Sequence, residues 1–173
     1  MEAASALFYR EGIHSVGVDR IIEDASVTRA TFYNHFPGKE DLVQAYLQDQ
    51  DDSLRALFAE AAGGVDSPDQ LIDAALLGIA EDITRNHTRG CPFINAAAEY
   101  PDADSPVRQT VRAHRDWFRA TLEQIIAAAG KDQPEARAAS LVLLRDAALV
   151  GGYLDGVEGV REAFLRTARI ALD

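Results

Sequence analysis

The residues from Ser26 to Lys39, S-V-T-R-A-T-F-Y-N-H-F-P-G-K, combine cations, hydroxyls, an amide, a phenol and an imidazole, with no Asp or Glu among them. Such a set is suited to reading a polyanion. Arg29 can pair bidentately with a guanine edge, Thr31 can touch a thymine methyl, and Tyr33 can donate to a phosphate. Asn34 and His35 extend the same outward polar face. Thr28 is placed to cap the start of this helix, where free N–H groups and the helix dipole also favour phosphate oxygens. Pro37 ends the pattern, and Gly38-Lys39-Glu40 opens the next helix with Lys39 near its N-terminus. A cation there opposes the dipole unless an anion lies close, and a DNA phosphate is the anion expected.

These side chains need a scaffold, and the flanking pattern supplies one. Val18 to Ala25, V-D-R-I-I-E-D-A, reads as a short amphipathic helix, and Val27, Phe32 and Phe36 are expected to face inward against Ile21 and Ile22. Two short helices with a tight turn between them describe a helix-turn-helix. A preceding helix runs from Met1 to Glu11, stopped by Gly12. After Gly38 a long helix is expected to reach Gly63-Gly64, polar and acidic from Gln48 to Ser53 and so exposed along much of its circumference there.

The stretch T-R-A-T-F-Y-N-H-F-P-G-K-E-D-L resembles the signature of the tetracycline-repressor family of transcriptional regulators. The matching positions are Thr28, Thr31, Phe32, Tyr33, His35, Phe36, Lys39, Glu40 and Leu42, and the resemblance runs from Met1 to about Tyr46. It departs from the family pattern at Ser26, where the turn usually has Gly, and at Gly38, where the next helix usually has a Ser or Thr cap. A left-handed Ser26 costs on the order of 1 kcal/mol. Relatives also tend to carry a few basic residues ahead of the first helix, whereas Met1 already falls within the helical pattern here. The resemblance implies a double-stranded DNA operator as partner, contacted by Thr28, Arg29, Thr31, Tyr33, Asn34, His35 and Lys39.

Composition narrows the remaining classes. The 173 residues carry a formal net charge of -11 and 47% hydrophobic residues, which supports a sizeable core and argues against diffuse coating of nucleic acid. No apolar run approaches the roughly 18 residues needed to span a bilayer, and no signal-peptide pattern is present. A single Cys excludes an intrachain disulfide, so a cytoplasmic location without membrane partner is expected. Neither a phosphate loop nor a convincing nucleophile–base pair suggests an enzyme, and no cofactor is expected.

Downstream the chain reads as helix throughout. Ser67-Pro68 opens a helix striped by Leu71, Ile72, Ala75, Leu76, Ile79 and Ile83 to about His87, broken at Thr88. Pro92 restarts a short helix, and Val107 to Ile125 stripe a long one closed by Gly130. From Pro134 to Val150 a helix is apolar almost all round, a pattern expected to be buried on every side. Gly151 to Gly156 is expected to turn the chain into a final helix. Leu141, Leu144, Ala148, Leu149, Val157, Val160, Phe164 and Ala168 on these last two helices are the expected homodimer interface, packed as a four-helix bundle. The resemblance implies dimerisation there too.

Four further groups invite a chemical reading. Regulators of the resembling family enclose small-molecule effectors between such helices, which makes Phe93, Asn95, Glu99, His114 and Trp117 the expected effector pocket. Cys91, at a helix start beside Arg89, is a possible redox or electrophile sensor; its ordinary reading is a small packed residue. His87, Cys91 and His114 make a poor metal set, so no metal site is expected. Arg108, Arg112, Arg115 and Arg119 recur at spacings of four, three and four, expected as a solvated face paired with acids. The expected whole is all-α: a three-helix DNA-binding module over residues 1–46 and a larger helical effector-binding and dimerisation domain over residues 47–173. The function expected from this is that of a ligand-responsive dimeric repressor acting on a near-palindromic operator. A regulator switched through Cys91 and a helical scaffold that does not bind DNA stand as alternatives.

Overall fold

The computed structural model describes residues 1–85 and 89–173, and His87 and Thr88 lie outside the described residues. Among those described the chain is all helix: α1 (Glu2–Glu11), α2 (Val18–Asp24), α3 (Arg29–His35), α4 (Lys39–Gly63), α5 (Pro68–Arg85), α6 (Pro92–Glu99), α7 (Pro106–Ala128), α8 (Pro134–Asp155) and α9 (Val160–Leu172). The helix starts are written locally. Four of them, α5 to α8, begin at a proline, whose φ is already helical and whose missing N–H has no partner in a first turn anyway. The hydroxyls of Ser67 and Ser105 accept the amides of Gln70 and Arg108, each at 3.3 Å, capping α5 and α7. Gly12 stops α1 at a φ of 91°, its N–H donating to the Phe8 carbonyl at 3.1 Å.

Two compact units result. The first joins Met1–Asp52 to Pro92–Ala113, the second Ser53–Cys91 to His114–Asp173, so α4 and α7 each contribute to both. The boundary expected after residue 46 therefore differs from the grouping by contacts, which places α6 and the first turns of α7 with the N-terminal helices. The core of the first unit includes Leu7, Phe8, Val16, Ile21, Leu42, Val43, Leu47, Phe93, Val107 and Val111, with the Phe8 and Tyr46 rings 5.8 Å apart. In the second unit α8 packs along α9, and both lie on α5.

The polar stretch of α4 from Gln48 to Ser53 is exposed along much of its circumference, with Asp51 buried at 4%. Two local expectations are corrected. Helix α8 continues through Gly151 and Gly152 to Asp155. Gly152 is buried within the helix, and a Cβ there would sit at ordinary contact distance, 3.7 Å from Val157 and 4.0 Å from Val160. Helix α8 is also not buried all round, because Leu143 and Leu154 are 68% and 69% exposed.

Candidate nucleic-acid interface

Helix α3 follows a hydrogen-bonded turn. The Ser26 amide donates to the Glu23 carbonyl at 3.0 Å and the Val27 amide to the Ile22 carbonyl at 3.2 Å, with Ser26 at a φ of 53°. This is the Schellman pattern that ends α2, with a serine in the left-handed position usually given to glycine. The turn also explains Val27. As the residue just beyond it, Val27 edges a surface hollow with Ala4, Ile21, Phe32 and Leu42 and stays 39% exposed instead of entering the core.

The start of α3 is held by Thr28, which has an extended backbone and whose side-chain oxygen accepts the Thr31 amide at 3.0 Å; the two threonine hydroxyls are 2.8 Å apart. Phe32 anchors the helix at 5% exposure, with Tyr33 edge-on to it at 5.1 Å and Phe36 half-buried 6.1 Å away. That anchoring leaves Thr28, Arg29, Thr31, Tyr33, Asn34 and His35 exposed together on a helix of seven residues. Arg29 reaches back to the exposed Asp19 carboxylate of α2 at 2.5 Å. A guanidinium has five donors, so one carboxylate orients Arg29 while leaving donors for a base edge.

Lys39 departs from this exposed group. It is the first residue of α4 and half-buried; burial lowers its ammonium below the ordinary lysine range, with the Glu99 charge opposing that shift. The anion expected from DNA thus has a counterpart in the chain itself.

Glu99 is spoken for more directly. Its Oε1 accepts the Ile13 amide at 2.8 Å and its Oε2 the His14 amide at 2.5 Å, with His14 Nδ1 at 3.1 Å from the same oxygen. Burial pushes the carboxyl up, but the His14 and Ile13 amides outweigh it and hold the group below the ordinary glutamate range. One carboxylate from the end of α6 therefore caps the turn between α1 and α2. The loop after it is fixed by the arginine stripe: Arg108 donates to the Tyr100 carbonyl at 3.1 Å and Arg112 to the Ala103 carbonyl at 3.0 Å. Farther along, Arg115 pairs bidentately with Asp146 at 2.8 and 3.2 Å, and Arg119 lies 3.7 Å from Asp116.

The residues expected around an effector are distributed between the two units. Phe93 is buried and Asn95 half-buried in the first, with Glu99 committed as above. His114 and Trp117 belong to the second, where His114 is buried and stacked on Phe118 at 6.3 Å and Trp117 lies under the Arg55 guanidinium at 4.2 Å. Hollows lie beside α4 in that unit. One, about 260 Å³, is lined from α4 by Leu54, Leu57, Phe58 and Ala61 and from α5 by Leu71, Ala74, Ala75, Gly78, Glu81 and Asp82. The other, about 440 Å³ and more open, has Arg55, Trp117, Thr121 and Gln124 along it. Of the five expected residues, Trp117 alone is among those around either hollow.

Cys91 is 2% exposed, as a packed thiol would be. Among the described residues no three His, Cys, Asp or Glu side chains are grouped to hold a metal, and no helix is long and apolar enough to cross a membrane. Of the expected dimer residues, Leu141, Leu149, Phe164 and Ala168 are at most 3% exposed within the single chain, where they pack in its own core. Leu144, Ala148 and Val160 are half-buried and Val157 is exposed. Sequence reasoning also missed Arg145 and Asp82, 3% and 7% exposed and 3.7 Å apart, with Arg145 over the Phe118 ring at 4.8 Å. A lone arginine inside L-V-L-L-R-D-A-A-L-V was the available signal.

Known proteins place this geometry. Residues 1–46 match the family described as bacterial regulatory proteins, tetR family, and residues 69–154 match the tetracyclin repressor-like C-terminal domain. The crystal structure of SCO4454, a TetR-family transcriptional regulator from Streptomyces coelicolor, superposes with a TM-score of 0.94 at 44% identity, covering 99% of this chain and 90% of that one. The HTH-type transcriptional regulator LmrA of Bacillus subtilis is 27% identical over 89% of this chain and 82% of its own. UidR of Escherichia coli, another HTH-type transcriptional regulator, is 35% identical over 75 residues, 43% of this chain and 38% of its own. The chain belongs to the tetracycline-repressor family of DNA-binding transcriptional regulators.

Proposed function

We propose that this regulator is a ligand-responsive dimeric repressor that binds a near-palindromic operator through α3 and leaves it when a small molecule occupies the second unit. The observation that carries the DNA half of this reading is the exposed set Arg29, Thr31, Tyr33, Asn34 and His35 on a helix anchored by Phe32 and capped by Thr28. Residues 1–46 are the DNA-binding domain in this reading, and residues 47–173 carry effector binding and dimerisation in a cytoplasmic protein.

For the dimer, the exposed apolar residues Leu143, Val150 and Leu154 of α8 and Ile170 of α9 support a self-complementary face. Leu144, Ala148, Val157 and Val160 keep enough exposure to join it. For the effector, the support is the apolar hollow beside α4, the same helix that begins at Lys39 next to the DNA-contact residues. Release follows if the ligand favours a conformation in which the two recognition helices misfit their half-sites. Titration of duplex DNA across a salt series tests the reading. Affinity is expected to fall steeply with salt, and binding that is absent or indifferent to salt refutes it.

A further inference from the structure

We infer that Asp19 of α2 is a specificity-determining residue: it aims Arg29 at a base edge and keeps it from the phosphates, so that operator is told from random duplex. This rests on the proposal that α3 reads DNA. Arg29 is the one lysine or arginine of α3, R-A-T-F-Y-N-H. Its Nη2 donates to Asp19 Oδ1 at 2.5 Å, from one helix of the pair to the other. Asp24, at the far end of α2, accepts from Arg20 Nε at 2.9 Å, so Arg20 and Arg29 have separate acids.

Both partners stand in solvent, with the Arg29 and Asp19 side chains 63% and 76% exposed. An exposed pair of this kind adds little to the stability of the fold. Its consequence lies where DNA displaces the water. A guanidinium is a planar fork on a long flexible stem, and a carboxylate on one side fixes its plane before DNA arrives. The Nη2–Oδ1 contact commits one part of the fork and leaves further donors for the O6 and N7 of guanine. The carboxylate also acts on phosphate. Paired with Asp19, Arg29 brings no net charge to the DNA surface, and a phosphate approaching it meets a like charge alongside. A guanine edge carries no formal charge and is not repelled in that way. An acid in the first turn of α2 also suits the helix dipole. That role alone would alter stability and leave base preference and salt dependence untouched.

The test uses the duplex selected by the wild-type chain, versions of it changed one base pair at a time, and a random-sequence duplex, each across a salt series. Asp19→Ala is expected to relax the preference for guanine at one position of each half-site by roughly five-fold or more. On random duplex it is expected to bind about two- to five-fold more tightly, the size of one solvent-screened charge interaction. The log–log salt slope there is expected to steepen by about one, as Arg29 turns to a phosphate. Asp19→Asn keeps an acceptor and loses the charge, and is expected to retain most of the base preference while binding random duplex more tightly. In an Arg29→Ala background, Asp19→Ala is expected to change neither base preference nor salt slope. Base preference or salt slope unchanged by Asp19→Ala, Asp19→Asn as relaxed as Asp19→Ala, or the same changes without Arg29 overturns the inference. In each of those cases the wild type still binds DNA, and the regulator reading stands. A wild type that selects no duplex, or binds without regard to salt, refutes that reading and this inference with it.

Discussion

The two units put their polar chemistry in opposite places. In the first, Arg29, Thr31, Tyr33, Asn34 and His35 stand in solvent, and the apolar residues beneath serve to aim them. In the second, the ionic pair Asp82–Arg145 and the imidazole of His114 are buried among hydrocarbon and aromatic side chains. A surface that reads DNA must stay wet, since phosphates and base edges are reached from water. Charges buried in a core instead act in a poorly screened interior, where their pairing weighs on stability. Substitution in the first unit should therefore change binding with little effect on stability, and substitution in the second the reverse. Glu99 is the exception, a partly buried carboxylate in the first unit with a structural task.

The largest expected effect lies in the second unit. Arg145→Ala removes the buried cation 3.7 Å from the Asp82 carboxylate and is expected to cost about 3–5 kcal/mol in chemical denaturation, whereas Arg145→Met with Asp82→Leu is expected to recover most of it. If the single variant is as stable as wild type, the buried pair is not what organises that unit. Next is Glu99→Ala, which leaves the Ile13 and His14 amides without their acceptor and is expected to cost about 1–3 kcal/mol. The Glu99 carboxyl is held below its ordinary range in the folded chain, so its contribution is complete above the unfolded value of about 4.3 and fades as pH falls through the folded value. Unfolding curves at a series of acidic pH values should show that loss in wild type and lack it in the variant.

Smaller effects belong to the DNA face. Arg29→Ala is expected to lose about 1–3 kcal/mol on the preferred sequence and little on random duplex, while Lys39→Ala weakens both alike. Equal losses on both duplexes for Arg29→Ala would remove it from base reading. Smallest is Ser26→Gly, which relieves a left-handed serine and is expected to stabilise the fold by about 1 kcal/mol or less, read as a raised melting temperature.

What could be read from the sequence follows the same division. The α3 region was legible because its determinants are local: the Thr28 cap, the Ser26 turn and the stop at Pro37 act within a few residues. The starts of α5 to α8 were legible through their prolines. Periodicity could not say which side of α8 meets its own chain, so Leu141 and Leu149 were assigned to an interface while Leu143 and Leu154 hold the exposed face. Nor could spacing foresee that Glu99 accepts amides 85 and 86 positions away, or that α4 and α5 enclose a hollow between them. Those outcomes depend on the rotation of one helix against another, which a pattern of apolar residues leaves open.

The central claim is that two copies of α3 read DNA as a pair, and selection of bound fragments from a random duplex pool tests it most directly. The account predicts enrichment of a near-palindrome whose half-sites lie on one face of the duplex, lost when Leu154→Glu disrupts the exposed α8 face. Enrichment of a single half-site, or none at low salt, would contradict it.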